Sequence, residues 1–144
     1  MIVLDTNVVS EAMRPMPNAA VVAWLDSQPD LYLCSPVLAE IYFGICRLGR
    51  SARKTQLMAS YRQIVSNVFD GRVLTFDTPS AEAYGEIVAT RQAMGNPIAV
   101  MDAMIAGIAK SNGASLATRN TSHFVRTDVA LVNPFDGTPL GLER

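Results

Sequence analysis

The chain has 144 residues, 49% hydrophobic and 17% charged, with a net charge of −1. That balance excludes a disordered polar chain and a strongly basic nucleic-acid tail, and the length suffices for one domain, 1–144, with a buried core. No apolar run reaches the ~18 residues of a membrane span, and no basic start leads into a long apolar stretch as in a secretion signal, so a cytoplasmic location without membrane contact is expected.

The first element reads as a strand over 2–5, three aliphatic residues ending in the carboxylate of Asp5. A helix opening on Asn18 follows. Leu31–Cys34 reads as the second strand, and "SPVLAEIYFGICRLG" as a helix with Ser35 as N-cap, Pro36 in the first turn and Gly49 as the stop. A helix is expected over 52–68 and a strand over 72–76. "TPSAEAYGEIVATRQAMG" repeats the helix grammar with Thr78, Pro79 and Gly95, and "NPIAVMDAMIAGIAKSNG" repeats it with Asn96, Pro97 and Gly113. Strands over 115–118 and 129–132 complete the series. Cys34 and Cys46 fit no zinc spacing and read as core-filling thiols of a reducing compartment. Short apolar strands alternating with helices predict parallel pairing, right-handed crossovers and a three-layer α/β sandwich. In such sheets ligands collect at the carboxyl ends of the strands.

Acidic residues fall where that rule points. Asp5 ends the first strand, Glu40 lies early in the helix after the second, and Asp102 lies early in the helix before the fourth. Asn120 follows the fourth strand. Asp102 is the sole charge in the apolar segment 98–109, and burying an unpaired carboxylate costs several kcal/mol. Three carboxylates in one cleft call for a counter-charge. A divalent cation with oxygen ligands, Mg²⁺ or Mn²⁺, is the simplest. Taken singly, Asp5 reads as a helix cap or turn residue and Glu40 as a solvated helix residue; it is the three together in one cleft that point to a metal site. His123 is the only histidine and reads as a surface or packing residue beside Phe124. With no phosphate-binding glycine loop and no serine elbow, an acid-rich site fits metal-assisted phosphodiester hydrolysis.

"LDTNVVSEAMR", "SPVLAEIYFGICRL", "PIAVMDAMIAGIAKSNGASLATRN" and "VALVNPF" together resemble the PIN-domain ribonucleases, and more narrowly the VapC-type toxins in the branch that includes FitB-like proteins. The resemblance spans nearly the whole chain and stops short of "DGTPLGLER". It implies a five-stranded parallel sheet flanked by helices and a Mg²⁺- or Mn²⁺-dependent endoribonuclease leaving 5′-phosphate and 3′-hydroxyl ends. It also implies a cognate antitoxin, operator DNA bound through that antitoxin, and a homodimer. The family's acidic positions fall on Asp5, Glu40, Asp102 and Asn120, with Thr6, Asn7 and Thr118 as accompanying polar groups. Many members carry aspartate where this chain has Asn120, which favours one cation over two.

Arg47, Arg50, Arg53 and Lys54, around a helix junction, suit an RNA backbone, or are a solvated junction with basic charge at a helix C-terminus. Arg119 suits a phosphate or points to solvent. Trp24 and Leu25 belong either to the core or to an antitoxin groove. Two rival functions remain at this point. One is a toxin-like scaffold with little catalysis that acts in an operator-binding complex. The other is an aspartate-nucleophile phosphatase, although Asn7 stands where that chemistry wants a second aspartate.

Overall fold

The computed structural model describes residues 1–142. β1 (Ile2–Leu4) is followed by α1 (Thr6–Ala12), α2 (Ala19–Ser27), β2 (Leu31–Cys34) and α3 (Ser35–Cys46). Then come α4 (Ala52–Gln63), continued by a π-helical turn Ile64–Val68, and β3 (Val73–Leu74). The hairpin of α5 (Thr78–Ala93) and α6 (Val100–Ser111) leads into β4 (Ser115–Ala117), a 3-10 turn Thr121–Phe124, β5 (Ala130–Asn133) and β6 (Thr138–Leu142). Among the described residues no helix is long and apolar enough to cross a membrane.

The sheet order is β3-β2-β1-β4-β5-β6. The first five strands are parallel, as expected, and β6 runs antiparallel to β5. Val3, Leu33 and Leu116 of the inner strands are fully buried, and Val8, Val37, Ile105 and Ile108 are buried from the helices. Burial of each such side chain contributes about 1.5–3 kcal/mol. The chain leaves β1 toward β2 and β3, then crosses to β4 on the other side. The carboxyl ends of β1 and β4 therefore flank the point where strand order reverses.

Several expected boundaries move, each for a local reason. Ser35 does not cap α3: Cys34 takes the N-cap, and the Ser35 hydroxyl accepts the N–H of Phe76 at 3.3 Å, tying the chain after β3 to α3. Asp77, not Thr78, caps α5 and accepts from Ser80 N at 3.1 Å. Ala99, not Asn96, precedes α6, which puts Asp102 in its first turn. α3 ends at Cys46, before Gly49, and Lys54 Nζ donates to the carbonyls of Cys46 and Leu48 at 3.2 and 3.1 Å. The stops at Gly95 and Gly113 hold. Gly95 has φ 69°, its N–H bonds Gln92 O, and Asn96 N bonds Arg91 O at 2.9 Å, the paired bonds of a left-handed helix terminus. β6 carries no strand signature in the sequence. Its pattern is broken by proline and glycine, and it forms by pairing with β5, which sets Asn133 against Thr138.

The α5–α6 hairpin packs backbone on backbone. A Cβ added at Gly107 would lie 2.7 Å from the Ser80 carbonyl oxygen and 3.1 Å from Tyr84 N. Nearby, the Ser80 and Ser111 hydroxyls meet at 3.0 Å. Gly107→Ala should therefore destabilise the chain by about 1–3 kcal/mol through overpacking. Urea unfolding checks this, and an unchanged midpoint would mean that the two helices separate freely.

Candidate active site

Asp5 sits where β1 turns into α1, and it is 5% exposed. Its Oδ1 accepts the N–H of Thr6 at 2.7 Å, so the carboxylate caps α1. Its Oδ2 accepts from the Thr118 hydroxyl at 2.6 Å and from Asn7 Nδ2 at 3.0 Å. Asn7 reaches further across: its Oδ1 accepts the N–H of Arg119 at 3.0 Å. The ends of β1 and β4 are thus sewn together by Asp5, Asn7 and Thr118. The sequence-expected polar partners stand at this seam.

Glu40, on α3, accepts a hydrogen bond from the Thr6 hydroxyl. Asp102, in the first turn of α6, meets His123 Nδ1 through its Oδ2 at 3.2 Å. Burial, followed by the charges of Asp102 and Glu40, raises the Asp5 carboxyl above its ordinary value, against the lowering by Thr118 and Thr6. The Cys34 thiol beneath is pushed up to about 12, first by burial and further by Asp5 and Glu40. It stays protonated and is a core residue, as expected, whereas Cys46 is exposed at the end of α3 instead of filling the core. Three carboxylates therefore share one electrostatic neighbourhood. The donors around Asp5 are all neutral. Among the described residues no lysine or arginine pairs with any of the three; the nearest basic group is the His123 ring on Asp102.

Oxygen donors with uncompensated negative charge match the chemistry of a hard divalent cation. Among the described residues, however, no three His, Cys, Asp or Glu side chains converge as a ready-made coordination shell. Each carboxylate is engaged with a neighbouring side chain, so water would fill part of any shell. Asn120 meets the seam through its backbone. Its side chain is exposed, and its N–H donates to Thr118 Oγ1 at 3.0 Å. The reason is local: the backbone there turns into the 3-10 segment, with His123 N bonding Asn120 O.

Beside the cluster opens a groove of about 1410 Å³, whose lining includes Thr6, Asn7, Glu40, Arg14, Arg53 and Arg119. Of the basic stretch, Arg53 faces this groove. Arg47 and Arg50 are exposed outside its lining, and Lys54 closes α3. Trp24 and Leu25 are half-buried against the core and stand outside the lining of this groove. Two further residues belong to the surroundings of the cluster. His123, read as a surface or packing residue, is exposed and its ring also contacts Asp102. Glu11 is a 5% exposed carboxylate that pairs with Arg14 at 3.2 Å and Arg119 at 3.6 Å. The N–H of Asn18, then Arg14 and Arg119, hold it below the ordinary range against the effect of burial. Arg119 also lies 4.0 Å over the Phe135 ring, so it is held from two sides.

The family model described as PIN domain matches residues 2–130. The chain is 42% identical over 137 residues to Toxin FitB of Neisseria gonorrhoeae, covering 94% of this chain and 99% of that one. It is 36% identical over 138 residues to VapC ribonuclease Y4jK of Sinorhizobium fredii, covering 94% and 99%. A solved structure of FitAB bound to an IR36 DNA fragment aligns with a TM-score of 0.88 at 41% identity, over 96% of this chain and 99% of that one.

The raised Asp5 carboxyl has a consequence for stability. The folded chain holds this proton more tightly than the unfolded chain does. The group's contribution is therefore full below the ordinary value of 3.8 and is lost as pH rises through the folded pKa. Without divalent cations, the stability of the wild type relative to Asp5→Asn should fall as pH rises above the ordinary carboxyl value of 3.8. Urea titrations of both chains check this, and parallel pH profiles would contradict it.

Proposed function

The chain belongs to the PIN domain family, and from that membership we propose that it is a metal-dependent endoribonuclease, the toxin of a toxin–antitoxin pair. The observation that carries the reading is the clustering of Asp5, Glu40 and Asp102 at the reversal of strand order without a fixed counter-charge. Relatives named as a FitB toxin and a VapC ribonuclease support it. Asp5, Glu40 and Asp102 would hold Mg²⁺, with Mn²⁺ as a substitute, directly or through water. The cation supplies Lewis-acid polarisation of the scissile phosphate and of the attacking water.

The chain's own residues supply placement. Thr6 N–H, Asn7 and Thr118 hold the Asp5 carboxylate from both sides of the seam, and the Thr6 hydroxyl orients Glu40. Arg14, Arg53 and Arg119 line the groove beside the cluster and suit the phosphates of an RNA strand. Asn120, at the mouth, offers an amide to substrate or water. We take residues 1–144 as one nuclease domain acting in the cytoplasm as a homodimer. Its partner is a cognate antitoxin through which operator DNA is bound. The solved FitAB assembly on DNA supports that partnership.

One alternative retains support. The exposed Asn120 and the unconverged carboxylates also suit a scaffold with little catalysis. Calorimetry with Mn²⁺ together with an RNA digest separates the two: no cation binding and intact RNA would select the scaffold.

Purified free of antitoxin and given Mg²⁺ or Mn²⁺, the chain should cleave cellular RNA. Asp5→Asn or Asp102→Asn should slow cleavage by about 100-fold or more, because each removes charge from a site worth several kcal/mol of transition-state stabilisation. Full activity in both variants would sink the assignment.

A further inference from the structure

One charged side chain in the interior takes no part in the chemistry above. Arg91, in the last turn of α5, is 3% exposed. Among the described residues it forms no ion pair. Burying a cation without an anion is strongly unfavourable unless its donors are satisfied. Here backbone carbonyls satisfy them. Nε donates to Asn96 O at 2.6 Å, and one terminal nitrogen donates to His123 O at 3.0 Å and Val125 O at 2.7 Å. The Arg91 carbonyl in turn accepts the N–H of Asn96 at 2.9 Å, so Asn96 is held twice by one residue.

The bonded carbonyls lie on two segments that flank the site. Asn96 opens the stretch leading into α6, whose first turn carries Asp102. His123 and Val125 belong to the close of the 3-10 turn that follows Thr118 and Asn120. The two segments meet again at the surface, where His123 Nδ1 reaches Asp102 Oδ2 at 3.2 Å. Arginine suits this position because its planar fork presents several donors in fixed directions. A lysine offers a point charge that serves fewer carbonyls at once.

We propose that Arg91 is a positioning residue: it clamps the approach to α6 against the 121–124 turn and so sets the His123–Asp102 contact and the place of Asp102 beside Asp5 and Glu40. Its effect on cleavage rests on the nuclease reading; its effect on geometry does not. A merely structural arginine would lower the unfolding midpoint and leave both the contact and the turnover as they are.

His123 is the sole histidine, so its ring resonances are unambiguous reporters in ¹⁵N-labelled protein. In the wild type, Asp102→Asn should shift the His123 ring nitrogens. In Arg91→Met the same substitution should leave them unmoved. Arg91→Lys should reduce the shift by about half or more, since it keeps the charge and loses the fork. On RNA, Arg91→Met should lower kcat about 10- to 100-fold with KM within about twofold, and Arg91→Lys should restore part of it. Should Arg91→Met fail to fold, Arg91→Lys decides by the same reporter. The clamp is overturned by a wild-type ring insensitive to Asp102→Asn, by full coupling in a folded Arg91 variant, or by a lowered unfolding midpoint with unchanged kcat. A wild-type chain that leaves RNA intact overturns the nuclease reading alone, because the resonance cycle needs no substrate.

Discussion

The Asp5 carboxylate accepts three hydrogen bonds: from the first N–H of α1, from the Asn7 amide and from the Thr118 hydroxyl on the far side of the seam. It is buried, and every donor is neutral. Such a group is stable only where the backbone aims donors at it, so the ends of β1 and β4 have to meet at this spot. That requirement puts α1 on the mouth of the sheet and opens the groove beside it. It also leaves a carboxylate that neutral donors satisfy sterically and compensate poorly in charge. The same bonds that hold the fold together keep the site electrically incomplete.

Around that seam the charges sort into two groups. Glu11 takes Arg14 and Arg119, two of the three arginines that line the groove. Asp5, Glu40 and Asp102 receive none of them. Had Arg119 swung to Asp5, the cluster would be an ordinary ion pair with nothing left to bind. Glu11 and the Phe135 ring keep Arg119 at the groove wall. A pairing preference on the surface thus preserves the negative potential in the cleft.

The α5–α6 hairpin acts at longer range. Gly107 lets the two helices approach until backbone meets backbone, and the turn at Gly95 returns the chain toward the sheet. Arg91 spans the space inside that turn. Asp102 therefore reaches the cleft because of how a hairpin closes and not because of any bond it makes to Asp5. Its carboxylate also stands at a helix N-terminus, where the macrodipole favours negative charge.

The amino-acid sequence by itself determined the alternation of apolar strands and helices, the helix stops at Gly95 and Gly113, and the candidates Asp5, Glu40 and Asp102. Each of these is a local matter of side-chain period, backbone freedom or a charge in an apolar setting, and local physics is legible in one dimension. The tertiary structure decided the rest. Ser35 lost its cap because its hydroxyl takes Phe76 N once the strands are in place. β6 exists because β5 presents an edge to pair with. The contact of His123 with Asp102, the capture of Arg119 by Glu11 and the three carbonyls around Arg91 all join residues at least 21 apart, or two segments at once. No periodicity encodes such contacts, since they depend on the angles at which whole elements pack.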